Sequence, residues 1–312
     1  MDRKNHISVY PLTLLKATIL RKAPLPEIPA ASTLEIIRGM IYIVNHSEAL
    51  LYYLDPYLSV KQRISLHDGI YSTTDPDLSA CCHFDINNFP HLLLLSTGGG
   101  PYQDTGWLIK LPTPYNRRHL VRQRNLKEFY DLIRTPDIIG PNREIAIREV
   151  VSGSDFIALF SQSGREIAAL YFYKEEFIEF IQGDMESVPF PLSGSFELPD
   201  QLVATSVSAF EDKLFWSANK PGKNENFIGW QNIHNFERLR GMTSTPFRSE
   251  QRYGVLTDLD GDPYKGAIRA LRVSDQPEAD IYPALALGAG PSGEPELLLI
   301  DLITAPRPED VL

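Results

Sequence analysis

The residue types that could do chemistry in this chain gather in a few short stretches. Ser96-Thr97-Gly98-Gly99-Gly100-Pro101 follows an apolar run, and glycines so placed let backbone N–H groups approach a phosphate or carboxylate. The stretch lacks the Gly-Lys-Ser/Thr ending and following helix of a nucleotide-binding loop, so its first reading is an inter-strand turn. Where such a turn opens onto a binding mouth, Ser96, Gln103 and Asp104 become ligand contacts. Asp258-Leu259-Asp260-Gly261-Asp262 begins like a calcium loop with alternating carboxylates. Arg269 stands where the bidentate Glu would be required, and an Asp-Gly turn is the simpler reading.

Nucleophilic catalysis needs Ser, His and Asp converging in space, or a Gly-x-Ser-x-Gly elbow. Ser152-Gly153-Ser154, Ser193-Gly194-Ser195 and Ser292-Gly293 lack that elbow and read as turns. The histidines include no helical pair with ligand partners and no His-Glu-x-x-His, so zinc chemistry has no support and no metal is assigned. His46 and His67 stand out, because each sits at a strand end beside an acid, Glu48 or Asp68.

These residues depend on the elements that carry them. With 24 Pro and 20 Gly scattered between short β-rich runs, the chain reads as many strands joined by turns. A first group of strands runs Thr33–Arg38, Met40–Asn45, Leu50–Asp55 and Val60–Leu66. A second runs Leu78–Phe84, His91–Thr97, Trp107–Leu111 and His119–Arg124, and a third Glu144–Val151, Asp155–Ser161, Glu166–Tyr173 and Glu176–Gln182. Leu126, Phe129, Tyr130 and Ile133 fall at helical spacing, so one short helix is expected over 126–134, stopped by Pro136. A four-strand meander recurring in units of roughly 40 to 50 residues is the pattern of propeller blades. The predicted fold is all-β: one β-propeller domain of four-stranded antiparallel blades over 1–312, six blades by length, with an N-terminal strand or extension over 1–30 and a tail over 304–312. Two sandwich domains split near Pro136–Pro141 are the competing arrangement.

Composition limits the function classes. A net charge of -10 opposes attraction to phosphate backbones or anionic lipid, so neither nucleic acid nor membrane is an expected partner. The apolar runs fall far short of the roughly 20 residues that span a bilayer, and the N-terminal stretch has no continuous apolar core of a secretory signal. Cys81 and Cys82, adjacent on one predicted strand, cannot build a disulfide framework and suit a reducing, cytoplasmic setting as buried thiols.

Met40–Asp55, Asp75–Ala80, Leu92–Leu111, Asp258–Leu271 and Glu296–Leu302, taken in order, resemble an uncharacterised bacterial family of six-bladed propellers, a domain of unknown function related in shape to phytase-like and esterase-like propellers. The resemblance implies a Glu after a Pro-Asp-Leu stretch and another near the end of the chain, where this sequence has Ser79 and Arg269. A further acidic stretch corresponds to Asn219–Asn226. If those carboxylates line the funnel of relatives, this chain has lost oxygen ligands that Ca²⁺ would need. No catalytic residue is carried over.

The resulting expectation is a binding or interaction propeller for a small molecule, peptide or protein, with His46, Ser96, Gln103, Asp104 and Arg269 as ligand-contact candidates and no cofactor. The alternative is a metal-assisted hydrolase of phytase-like or esterase-like type, with Ca²⁺ and carboxylates gathered in the central funnel. Four or more converging carboxylates would favour the hydrolase, and an apolar, Arg-lined or closed funnel the binding module.

Overall fold

The structure, a computed structural model, describes residues 16–66, 77–100, 103–113, 118–140, 144–163, 166–210, 213–223, 225–232, 251–274 and 281–304. His67, Asp75 and Pro76 of Asp75–Ala80, residues 1–15 and the tail beyond 304 lie outside the described residues. The described strands form five four-stranded units. The first unit is β2 (Ala31–Ile37), β3 (Met40–Asn45), β4 (Leu50–Leu54) and β5 (Val60–Ser65), and the second β6 (Leu78–Ile86), β7 (Phe89–Ser96), β8 (Thr105–Lys110) and β9 (Leu120–Asn125). The third is β10 (Ile147–Ser152), β11 (Phe156–Ser163), β12 (Glu166–Tyr173) and β13 (Leu192–Glu197), and the fourth β14 (Val203–Phe210), β15 (Lys213–Asn219), β16 (Asn226–Asn232) and β17 (Arg252–Thr257). The fifth unit takes β18 (Ala267–Val273), β19 (Ile281–Ala289) and β20 (Pro295–Ile303) from the C-terminal end and its outer strand, β1 (Lys16–Pro24), from the N-terminal end.

The first strands of the units neighbour one another in the cycle β2, β6, β10, β14, β18 and back to β2. The apolar core divides the same way into five clusters, each lying between two adjacent sheets. Trp107 and Ile109 pack with Tyr42 and Leu51 between blades one and two, whereas Leu287 and Leu297 pack with Leu34 and Ile43 between blades five and one. A closed ring of radially arranged sheets is a β-propeller and not a pair of sandwiches. Its blade count corrects the expected six. The inner strands begin at 31, 78, 147, 203 and 267, spacings of 47, 69, 56 and 64 residues, so dividing the length by a minimal blade overcounts.

Helical insertions account for part of that spacing. Helix α1 (Lys127–Ile133) falls where helical spacing placed it, and Pro136 then opens a second short helix, α2 (Pro136–Ile139). The stretch expected as a strand at Glu176–Gln182 is instead helix α3 (Lys174–Gln182), and Leu192–Glu197 completes the third blade. Phe177, Phe180 and Ile181 form a buried helical stripe, Glu175 and Glu176 lie at the favourable N-terminal end, and left-handed Gly183 closes the helix. Phe129 of α1 meets Phe177 and Phe180 of α3 with centroids 5.8 and 6.0 Å apart. The helices thereby join the apolar cluster between blades two and three.

Candidate functional site

All five inner strands run the same way along the axis, from a leading face, where they begin, to a trailing face, where they end. Each carries a one-residue register shift near its start, leaving Ser32, Ser79, Arg148, Thr205 and Arg269 as the extra residues of five equivalent bulges. The Ser79 hydroxyl donates to the Ile147 carbonyl at 2.5 Å and Arg269 Nη1 to the Ala31 carbonyl at 2.9 Å, each tying its inner strand to the next.

Beyond the bulges, the channel is closed by a buried charge cluster. Arg272, 5% exposed, comes from β18, Glu35 from β2 and Glu149, 1% exposed, from β10. Arg272 Nε donates to Glu35 Oε2 at 3.2 Å and Nη2 to Glu149 Oε1 at 2.6 Å. Nη2 also donates to the Cys81 carbonyl at 2.7 Å, and Nη1 to the carbonyls of Leu271 and Val207 at 2.8 and 3.4 Å. Every N–H of the guanidinium is thus committed and its bonds reach all five blades, while Ser206 of β14 donates to Glu149 Oε2 at 3.1 Å. Glu35 Oε1 accepts from the Ile36 N–H at 3.1 Å and faces His83 Nδ1 at 3.3 Å. Burial works to raise the Glu35 carboxyl, but Arg272 and His83 outweigh it and hold Glu35 below the usual range. Burial raises Glu149, which Arg272 only partly offsets. Burial also opposes protonation of His83, yet its bond to Glu35 prevails and raises its pKa.

Above this cluster the trailing mouth holds a cavity of about 160 Å³, lined from all five inner strands, with Glu35, His83, Ser152, Ser208, Phe210 and Arg272 among its walls. Away from the axis, on the outer strands and turns of its blades, the trailing face carries exposed apolar side chains. Tyr57 is 88% and Phe190 70% exposed, joined by Phe89, Leu120, Tyr173 and Leu192 at the trailing ends of blades two and three.

The candidates read from sequence lie elsewhere. His46 lies in the turn after β3, its Nδ1 2.9 Å from the Ala30 carbonyl. Ser96, Gln103 and Asp104 do come together, on the leading face beneath α1. Tyr130 donates to the Ser96 carbonyl at 2.6 Å, Gln103 Oε1 accepts from Thr97 at 2.9 Å, and Asp104 pairs with Arg134. Arg269 is in the bulge ring, and the Ala31 carbonyl it holds is next in sequence to the Ala30 carbonyl that His46 contacts. Asp258 accepts the N–H groups of Asp260 and Asp262 at 3.1 and 3.0 Å with Gly261 at φ +88°, the turn expected there. Sequence reasoning missed Glu35, His83, Glu149 and Arg272, which converge from strands far apart in the chain. The available signal was a charge set among β-branched and apolar neighbours, as in Leu34-Glu35-Ile36 and Leu271-Arg272-Val273.

Fold and site together define a five-bladed propeller closed by its N-terminal strand and plugged on its axis by a buried arginine. Residues 27–219, more than half of the chain, match the model of a family of unknown function, DUF6929, and the chain belongs to that family. No curated protein matches it. Among solved structures, the glutaminyl cyclase of Myxococcus xanthus aligns over 95% of this chain and 100% of its own, with 10% identity and a TM-score of 0.47. The tail fibre of Staphylococcus aureus phage P68 aligns over 93% of this chain and 53% of its own, with 10% identity and a TM-score of 0.48. For the Nup133 β-propeller domain of Vanderwaltozyma polyspora the shares are 87% and 71%, with 11% identity and a TM-score of 0.39. These likenesses concern the fold alone.

Proposed function

We propose that this propeller is a binding module that receives a protein or peptide on its trailing face, with one group of the partner entering the axial mouth. The carrying observation is the closed funnel: both buried carboxylates are consumed by Arg272, His83, Ser206 and backbone N–H groups. A hard cation needs six or more oxygen ligands, and the channel offers two carboxylates whose oxygens all already accept hydrogen bonds or face His83. A metal-assisted hydrolase is therefore the poorer fit to this channel. A cavity of about 160 Å³ is small beside the roughly 300–1,000 Å³ of drug-sized ligand sites, yet it accommodates a single side chain. The exposed aromatic and aliphatic groups on the outer strands of the same face suit a macromolecular partner. No helix among the described residues is long and apolar enough to cross a membrane. Cys81 and Cys82 are buried free thiols, which supports a reducing, cytoplasmic setting.

The test is affinity capture with paired surface variants. Tyr57→Ser/Phe190→Ser alters the trailing face, and Leu259→Ser removes an exposed apolar group from the leading face. The partner should be lost at least tenfold with the first pair and retained with the second. Equal retention by both would defeat the reading, as would ester hydrolysis by the wild type that vanishes in His83→Gln.

A further inference from the structure

The trailing mouth presents hydrogen-bond donors from several blades, its one lining carboxylate, Glu35, is committed, and Asp85 stands exposed two residues from His83 on the same strand. His83 of β6 lines it with its side chain 45% exposed, and Nδ1 is held by Glu35, which leaves Nε2 on the opposite edge of the ring without a partner among the described residues. With Glu35 holding the proton on Nδ1, the neutral imidazole offers Nε2 as an acceptor and the imidazolium offers Nε2–H as a donor. Ser208 Oγ accepts the Val273 N–H at 3.3 Å, so its own proton remains available to donate. Ser152 of β10 lies at the rim with its hydroxyl donating to the Gly153 carbonyl at 3.4 Å, and Phe210 gives an apolar wall. Arg272, saturated by protein acceptors, supplies positive charge beneath the cavity but no free N–H.

From this geometry we infer that the mouth takes the carboxylate end of its partner, seated on His83 Nε2–H and the Ser208 hydroxyl. The inference rests on the binding reading of this mouth and names the group that enters it. An imidazolium beside a serine hydroxyl matches two carboxylate oxygens, and a cavity of about 160 Å³ admits a short acidic group with little else. The charged and titratable groups facing His83 are Glu35 on β2, Arg272 on β18, and Asp85 and Cys82 on its own strand. β10 and β14 present Ser152 and Ser208 at this level, with Glu149 below. Because Glu35 raises the histidine, carboxylate binding should hold at acidic pH and weaken as rising pH removes the His83 proton.

The experiment follows the imidazole resonances of histidine-labelled protein by NMR, with His83 assigned by comparison with His83→Gln. Acetate is the probe and acetamide its neutral counterpart of the same shape. Saturable shifts of His83 with acetate alone, and a His83 titration midpoint raised by at least half a pH unit in its presence, are expected. In His83→Gln the remaining histidines should not respond, while melting shows the fold intact. Ser208→Ala should weaken acetate binding several-fold. Equal shifts with acetamide, or none with either, would overturn the inference without touching the capture result for the trailing face. N-acetylglycine against the α-amide of N-acetylaspartate then separates the two sources of the carboxylate, a chain terminus or an acidic side chain.

Discussion

At the scale of the residue, burial decides which charges this protein can keep. His119 sits near the rings of Tyr42 and Tyr53, with centroids 6.2 and 6.1 Å away, and neither ring nitrogen has a hydrogen-bond partner among the described residues. Burial pushes it down to about 4 from the usual 6.5. Above pH 6.5 the folded and unfolded chains both carry it neutral. Between 6.5 and about 4 the unfolded chain takes up a proton that the folded chain refuses, so stability falls with falling pH across that window. His119→Leu should flatten this part of the stability–pH curve, measured by urea denaturation at pH 4.5 and 7; an unchanged slope would count against the assignment. The adjacent thiols illustrate strand alternation at the same scale. Cys81 joins the cluster between blades one and two, Cys82 that between blades two and three.

Elements in this chain are set by local pattern where the pattern is unambiguous. The meanders of the first two blades and the amphipathic stripe of α1 were legible because apolar spacing and turn residues agreed. Helix α3 was misread as a strand, since Phe177-Ile178-Glu179-Phe180-Ile181 is too densely apolar for a short window to separate the two periods. Strand β17 offers little β pattern to a sequence reading at its Arg252-Tyr253-Gly254 start. The glycine loop, read as a turn or an anion cradle, is a packing device at Gly98. That residue has φ +74°, and a Cβ there would come within 2.4 Å of the Tyr130 ring, which is fixed by its bond to the Ser96 carbonyl. Gly98→Ala should therefore cost about 1–3 kcal/mol by chemical denaturation, through backbone strain and the displaced ring. A neutral outcome would mean α1 is less tightly seated than its contacts indicate.

Across the whole molecule, ring closure and axial plug are long-range properties that no window of sequence displays. β1 pairs antiparallel with β20 along its length and touches β17 in parallel at Ala17 and Thr18, so the two chain ends share a blade. Glu35 and Arg272 lie 237 residues apart yet meet at 3.2 Å. Once the blades are counted, the sequence explains this, because each charge occupies the inner strand of its own repeat. The most direct test of the charge-pinned channel compares the stabilities of wild type, Arg272→Met and the triple variant Arg272→Met/Glu35→Gln/Glu149→Gln by equilibrium denaturation. Removing the arginine alone strands two buried carboxylates and should cost about 3–5 kcal/mol, most of it recovered once both carboxylates are neutral amides. An Arg272→Met variant as stable as wild type, or a triple variant no more stable than the single one, would contradict the account.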